Sequence, residues 1–299
     1  MAWQETLLRR LREGLNYRSR GAAEPTALAA VAFAARGQLE DAAAPRQWLA
    51  GQQRPDGGVP VLDQLEGPCW PTALAALAWE SDDAYQANAD RAREWLRQTH
   101  GLAFEHDEMV GHDPTLVGWS WTDETHSWVE PTSHALLALR ADEPRERTGE
   151  AVRLLLDRCV PDGGWNYGNT RVLDNMLRPF PATTGVALAA LAGHPEVTPE
   201  GMAAVQRSQD WLVSALEDAR APLSLGWGLI GLGRWGRYPA STNDWLTASV
   251  EADIEADPLH DALRLLAMVP GVLSSPMREA APIPDGDDGT GRPVNRRPW

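Results

Sequence analysis

The side chains best suited to chemistry are concentrated in one segment of the chain, residues 103–134. Histidines and carboxylates are the usual general acids, general bases and metal ligands of proteins. The segment contains His106, Asp107, His112, Asp113, Asp123, Glu124, His126, Glu130 and His134. No pair has a recognised metal-ligand spacing such as His-Glu-x-x-His, so we predict neither a metal nor a cofactor. A segment of this length indicates a rim or lid of a functional site, or else a solvated acidic surface loop.

Tryptophan is the second unusual feature, with 14 Trp against 3 Phe and 4 Tyr. Aromatic faces attract cations, but aromatic side chains near helix starts more commonly pack the junction of helix and turn. Trp128 is the strongest candidate for a cavity wall. The residues that we predict to line a cavity or bind a ligand are Trp70, Asp123, His126, Trp128, His134, Trp165 and Asp174.

The elements that must position these residues begin with a repeated pattern, in which proline is followed by Thr or Ser and then by an Ala-rich or apolar run. The starts are EPTALAAVAFAARG from Glu24, WPTALAALAW from Trp70, EPTSHALLALRA from Glu130, FPATTGVALAALAG from Phe180 and YPASTNDWLTASV from Tyr238. Proline suits the first helical turn, because its missing N–H would be unpaired there in any case. We therefore predict five inner helices about fifty residues apart, close together because alanine is small.

Amphipathic segments lie between these starts. They are LEDAAAPRQWLAGQQ, AYQANADRAREWLRQTHG, EAVRLLLDRCV and GMAAVQRSQDWLVSALEDA, and each has charges on one face and Leu or Trp on the other. Two turns share Pro-Asp-Gly-Gly, at 55–58 and 161–164, where glycine supplies the positive φ. Strand-like alternation is scarce. The sequence therefore predicts an all-α fold of alternating inner and outer helices.

The composition narrows the class of protein. The net charge is −15 without a basic run, which disfavours a nucleic-acid partner. Two cysteines are too few for a disulfide framework and suit a reducing compartment, so we predict a cytoplasmic protein. The N-terminal segment is a charged amphipathic helix without the apolar core of a signal peptide, and no run is long enough to cross a membrane. The Pro/Gly/Asp-rich segment 273–299 is predicted to be a disordered tail, after one domain at 1–272.

Parts of the repeat resemble the repeats of squalene and terpenoid cyclases. In WLAGQQRPDGGV, Trp48-Leu49, Gln53 and Gly57 match the aromatic-Leu, Gln and Gly-x-Trp positions, and in LLLDRCVPDGGW Gly163 and Trp165 match. The chain is thus similar to the prenyltransferase/squalene-oxidase repeat superfamily. That resemblance implies an (α/α) toroid of about five to six helical hairpins, with an active cavity at the end where the inner helices begin.

The resemblance also implies candidate residues. Glu130 occupies the place of the middle acid of the cyclase motif Asp-x-Asp-Asp-Thr, whereas Trp128 and Pro131 replace the flanking aspartates. It is the candidate catalytic acid, and the alternative is an acid placed against the helix dipole. Cys69 occupies the place of the zinc-binding cysteine of protein prenyltransferases, but the other two ligands are absent, so an inert buried thiol is expected.

Three functions are compatible with these residues. The first is a cyclase-like or prenyltransferase-like toroid that binds an isoprenoid or another hydrophobic small molecule in an apolar central cavity. The second is a non-catalytic scaffold that binds a protein partner. The third is a carbohydrate-active toroid that uses rim carboxylates such as Asp123, Glu124 and Glu130.

Overall fold

The computed structural model describes residues 2–17, 21–106, 110–139, 145–173, 175–253 and 256–273. The helices of these residues are α1 (Ala2–Tyr17), α2 (Ala23–Ala35), α3 (Leu39–Gln52), α4 (Thr72–Glu80), α5 (Gln86–Gln98), α6 (Val129–Ala138), α7 (Arg145–Asp157), α8 (Pro181–Leu191), α9 (Pro199–Leu216), α10 (Pro222–Arg234), α11 (Thr242–Ala252) and α12 (Pro258–Leu266). A short antiparallel hairpin, β1 (Arg171–Val172) and β2 (Asn175–Met176), is the only sheet within those ranges. The all-α prediction is confirmed.

The even-numbered helices contact one another in a closed cycle. Each of α2, α4, α6, α8, α10 and α12 packs against the next, and α12 packs against α2. We call these six helices the inner ring. The odd-numbered helices pack on its outside: α3 contacts α2 and α4, for example, and α9 contacts α8 and α10.

The inner ring is buried on every helical face. Continuous runs of side chains have almost no exposed surface, at 26–33, 72–79, 131–139, 183–191 and 225–232. An open channel through the ring would expose the side chains that line it. Among the described residues, the centre of the ring is therefore filled with side chains rather than open to water.

Small residues explain how closely the inner helices approach. Gly185 of α8 lies against the backbone of Trp227 and Gly228 of α10, where a Cβ atom would clash with the Trp227 carbonyl. Gly231, one turn further along α10, lies against the backbone of Gly185 in the same way. Substituting alanine at these glycines would therefore push the two helix backbones apart.

Arginines fasten two outer helices to the inner ring. Arg46 of α3 donates from Nε to the Ala78 carbonyl at the end of α4 (2.8 Å), and Arg93 of α5 donates from Nε to the Ala138 carbonyl at the end of α6 (3.1 Å). Both side chains are buried. A cation at a helix C-terminus satisfies carbonyls that have no partner within the helix.

Threonines fasten the turns to the beginnings of the inner helices. The backbone N–H of Val59 donates to Thr72 Oγ1 (2.8 Å), that of Trp119 to Thr132 Oγ1 (3.0 Å), and that of Trp165 to Thr184 Oγ1 (2.9 Å). The same hydrogen bond thus occurs before α4, α6 and α8. The two Pro-Asp-Gly-Gly turns have glycines at φ +100° and +98°, Gly57 and Gly163, and each packs against the backbone of an outer helix.

The prediction that the segment from Tyr238 forms an inner helix is wrong. The segment after Tyr238-Pro239 forms α11, of which only Thr242, Leu246 and Ser249 are buried, and it packs outside α10. The last two inner helices are instead α10 and α12, which begin at Pro222 and Pro258. A proline in the first turn does not distinguish an inner helix from an outer one. Proline favours the beginning of a helix, whereas the burial of the helix depends on how many of its faces pack against other elements.

The predicted domain at 1–272 contains all of these helices. The predicted tail lies outside the described residues except for Leu273, which is buried. Within the described residues, no helix combines the length and the apolar character required to cross a bilayer.

Candidate functional site

The beginnings of the inner helices meet at one end of the ring. Glu24 is the second residue of α2, Glu130 is the second residue of α6, and Asp257 precedes α12. The charges of Glu130 and Asp257 both act on Glu24, which places the three carboxyl groups near one another. We call this end the mouth. The mouth face is the surface formed by the segments that lead from an outer helix to the next inner helix, together with the first turns of the inner helices.

Glu24 and Glu130 share an unusual environment. Both are only partly exposed, and burial raises the pKa of each to about 7; the negative charges of Glu130 and Asp257 add to the shift at Glu24. Among the described residues, no hydrogen-bond donor and no ion-pair partner reaches either carboxyl group. A pKa near 7 leaves a carboxyl group about half protonated at neutral pH, as a proton donor requires. The catalytic role of Glu130 stays a prediction.

His134 lies one helical turn beyond Glu130 on the same face of α6. It has no exposed surface, and its ring packs between Trp70, with centroids 6.1 Å apart, and Trp227, with centroids 5.4 Å apart. Burial lowers the pKa of His134 to about 3, so the imidazole is neutral at physiological pH. Neither ring nitrogen has a hydrogen-bond partner among the described residues.

Trp70 and Asp123 line a narrow cleft beside the mouth. The Trp70 ring stands edge-on to Trp121, with centroids 4.6 Å apart, and the cleft volume is about 20 Å³. That volume accommodates about one water molecule and no organic ligand. Cys69 lines the same cleft, and burial raises the pKa of its thiol, as in an inert structural cysteine.

The remaining predicted site residues are separated. Trp165 has no exposed surface, and its indole N–H donates to the Leu155 carbonyl, so it belongs to the core rather than to a cavity wall. Asp174 lies outside the described residues. Trp128, by contrast, immediately precedes α6 and is half-buried, and its ring contacts that of His126 with centroids 4.4 Å apart.

The segment between α5 and α6 forms a pocket of about 280 Å³ on the mouth face, which we call the loop pocket. Its apolar wall consists of Leu102, Phe104, Val110, Pro114 and Leu116. Its polar groups come from Glu105, His112, His126, Ser127, Arg158 and Asn169. Apolar walls with a few polar groups are typical of small-molecule sites.

Arg158, which directly follows α7, joins the backbone segments beside the loop pocket. Its Nη1 donates to the Gly168 carbonyl (3.0 Å), its Nη2 donates to the Asp113 carbonyl (3.1 Å), and its Nε lies 3.3 Å from the Asp157 carboxylate. Burial, followed by the charge of Arg158, lowers the pKa of His112 to about 4 and also lowers that of His126. His112 therefore presents a neutral imidazole at neutral pH.

A second, more polar cavity of about 580 Å³ lies against the loop pocket and shares Val110 and His112 with it. His106, Asp157 and Arg171 contribute to its lining.

The sequence alone did not identify Arg158 as a site residue. The signal was a single arginine at the end of the apolar run LLLDRCV, which is a costly place for a charge unless it bonds to the backbone. Among the described residues, no group of three or more His, Cys, Asp or Glu side chains could hold a metal ion.

Comparison with known proteins gives a likeness of fold. No protein-family model matches this chain, and no curated protein matches it. Among solved structures, the crystal structure of a protein from Actinoplanes is similar, with a TM-score of 0.52 and 15% sequence identity. The similarity covers 90% of this chain and 98% of that chain. At this identity the likeness concerns the fold alone.

Proposed function

We propose that this protein binds a hydrophobic small molecule, of isoprenoid-like character, in the loop pocket on the mouth face. The observation that carries the proposal is the apolar wall of Leu102, Phe104, Val110, Pro114 and Leu116 around a cavity of about 280 Å³. The filled centre of the inner ring supports a site in the loops rather than inside the ring. The proposal concerns binding, and it assigns no reaction to the bound molecule.

The state of the polar groups supports an uncharged ligand. His112 and His126 have lowered pKa values, and the Arg158 guanidinium is already engaged by two carbonyls and by Asp157. Apart from the engaged Arg158 and from Glu105, whose side chain is exposed to solvent, the pocket therefore offers neutral hydrogen-bonding groups beside its apolar wall. Such a lining suits a molecule with one hydroxyl or carbonyl group on an apolar body.

The binding experiment uses farnesol and measures its affinity by isothermal titration calorimetry. Leu102 and Leu223 form a matched pair, because both are leucines of the mouth face and both are 40% exposed, whereas only Leu102 lines the loop pocket. We expect Leu102→Asp to weaken binding at least about tenfold. The bound ligand would cover the new carboxylate in the apolar wall, and the carboxylate would then have to be desolvated. Leu223→Asp should leave the affinity unchanged. Equal losses in both variants, or no binding to the unaltered protein, would contradict the proposal.

The same proposal includes the fold type and the compartment. We infer that the closed cycle of inner helices with outer helices around it belongs to an (α/α) toroid of six hairpins, similar to the cyclase and prenyltransferase repeats. The two cysteines of the chain, Cys69 and Cys159, are both free, which supports a reducing compartment such as the cytoplasm.

A protein-binding scaffold is the second candidate function, and the distribution of exposed apolar side chains favours it. Of the eleven large apolar side chains that the described residues expose, ten lie on the mouth face, and only Leu39 lies elsewhere. Leu173, which is 74% exposed at the turn of the β1–β2 hairpin, protrudes most. Apolar patches of this kind on one face commonly mark an interaction surface.

The scaffold candidate is tested with two variants, one at each end of the ring. Each variant is expressed in the native cells and purified, and the proteins that co-purify with it are compared. Leu173→Asp should release a stoichiometric protein partner. Leu39→Asp, which changes another exposed leucine at the opposite end of the ring, should retain that partner. Retention of the partner by both variants would contradict an interaction through the mouth face.

A further inference from the structure

The mouth contains negative charge that the described residues do not balance. Glu24 begins α2 and Glu130 begins α6, the charge of Glu130 acts on Glu24, and Asp257 adds a third carboxyl group from the start of α12. The Asp257 carboxylate accepts a hydrogen bond from the Leu259 N–H at 2.8 Å, so it has an ordinary role as a helix cap. Glu24 and Glu130 have no such partner among the described residues.

Among the described residues, arginine supplies no counter-charge either. The sequence contains no lysine, so every cationic side chain other than histidine is an arginine. No arginine of the described ranges contributes to the electrostatic environment of Glu24 or Glu130. Two carboxyl groups at helix beginnings would ordinarily accept hydrogen bonds from free backbone N–H groups, and these two do not.

His134 provides an independent indication of a ligand at the same place. It lies one helical turn beyond Glu130 on the same face of α6, and the Cα–Cβ bond of a helical residue tilts toward the beginning of its helix, which here is the mouth end. Its two ring nitrogens are buried and unpartnered among the described residues. Leaving a buried polar group without a partner costs free energy, so a bound group that supplied a hydrogen bond would be stabilised here.

We propose that the mouth binds an organic cation, a primary ammonium or guanidinium group, between the carboxylates of Glu24 and Glu130 and above the imidazole of His134. The N–H donors of such a group match the acceptors present, which are carboxylate oxygens and the unprotonated nitrogen of a neutral imidazole. Trp70, whose ring packs against His134, adds an aromatic surface beside the cation. This site lies at the mouth and not in the loop pocket, so the inference does not depend on the proposed function.

The experiment measures the binding of hexylammonium by isothermal titration calorimetry at about pH 8, where both carboxyl groups are ionised, with 1-hexanol as the neutral analogue. We expect hexylammonium to bind saturably and at least about tenfold more tightly than 1-hexanol. Glu24→Gln and Glu130→Gln should each weaken hexylammonium binding about tenfold, as the loss of one charge-assisted hydrogen bond implies. Glu200→Gln is the matched control, since Glu200 is an exposed glutamate in the first turn of the outer helix α9.

A second readout separates a bound cation from general attraction to an acidic protein. Hexylammonium affinity should fall from about pH 8 to about pH 5.5 in the unaltered protein and should be flat in the Glu24→Gln/Glu130→Gln variant. Leu102→Asp in the loop pocket should have no effect. The inference is overturned if hexylammonium does not bind saturably, if 1-hexanol binds equally well, or if the glutamine variants bind as the Glu200→Gln control does. Circular dichroism of each variant establishes that it is folded.

Discussion

Glu24 and Glu130 lie at equivalent positions of two inner helices, and the charge of Glu130 raises the pKa of Glu24. Both residues stand in a Glu-Pro-Thr sequence, which by itself describes nothing more than an acid in the first turn of a helix. The closed inner ring brings two such acids close together at the mouth. The pair is thus a product of the tertiary structure acting on a repeated local motif.

The first prediction concerns stability and pH. The pKa of each glutamate is about 7 in the folded protein and near 4.5 when unfolded, so the folded state binds more protons between these values. The stabilising contribution is present below about pH 4.5 and is lost as the pH rises to about 7. At about pH 8 the Glu24→Gln/Glu130→Gln variant should be more stable than the unaltered protein by about 2 kcal/mol, measured by urea unfolding. Equal pH dependence in both proteins would show that the two glutamates have ordinary pKa values.

The second prediction concerns the threonine that fastens a turn to α6. Thr132 is fully buried, and its Oγ1 accepts a hydrogen bond from the Trp119 N–H at 3.0 Å. Thr132→Val keeps the shape and leaves that N–H without an acceptor, so we expect a loss of about 1–3 kcal/mol in the free energy of unfolding. Thr247→Val is the control, because Thr247 is only half-buried and its hydroxyl donates to the Asn243 carbonyl in its own helix rather than accepting from a turn. A loss no greater than that of the control would mean that the recurring bond adds little to stability.

The third prediction concerns Arg93, which joins α5 to the end of α6 and lies 3.2 Å from the carboxylate of buried Glu80. Arg93→Met should destabilise the protein by about 3–5 kcal/mol, because it breaks a buried ion pair by removing one member and keeping the other. Adding Glu80→Met should restore much of that loss in urea unfolding. Arg97→Met, which alters a more exposed arginine of the same helix, should cost less than about 1 kcal/mol. A double variant no more stable than Arg93→Met would assign the loss to packing rather than to the broken ion pair.

The fourth prediction concerns the anchor of the loop pocket. Arg158 bonds to the carbonyls of Asp113 and Gly168 with two different nitrogens, a geometry that a lysine ammonium at the same position cannot reproduce. Arg158→Lys should therefore increase amide hydrogen exchange in the segment 110–118 at least about tenfold, measured by mass spectrometry. Arg153→Lys, on the exposed face of the same helix, should leave exchange unchanged. Protection that survives in Arg158→Lys would show that the segment is held by other contacts.

Local features of the sequence were sufficient to predict the class of fold. Pro-Thr starts, Ala-rich bodies and amphipathic intervening segments predict alternating inner and outer helices, and all of the segments predicted as helical are helical. The reason is that helix initiation and amphipathicity depend on residues within one or two turns of each other. The same local signals misassigned the segment after Tyr238-Pro239, because the burial of a helix depends on elements elsewhere in the chain.

The same distinction between local signals and contacts of distant residues applies to the candidate site. The sequence by itself determined that the segment 103–134 is rich in groups for binding or chemistry and that Glu130 opens a helix beside Trp128. Only the tertiary structure decided that Glu24 lies near Glu130 and that the His134 ring packs between Trp70 and Trp227. The same holds for Arg158, which bonds to the backbone beside the loop pocket. Each of these relationships joins residues on different helices, and a pKa, a cavity or an unpartnered nitrogen arises only when such residues are brought together.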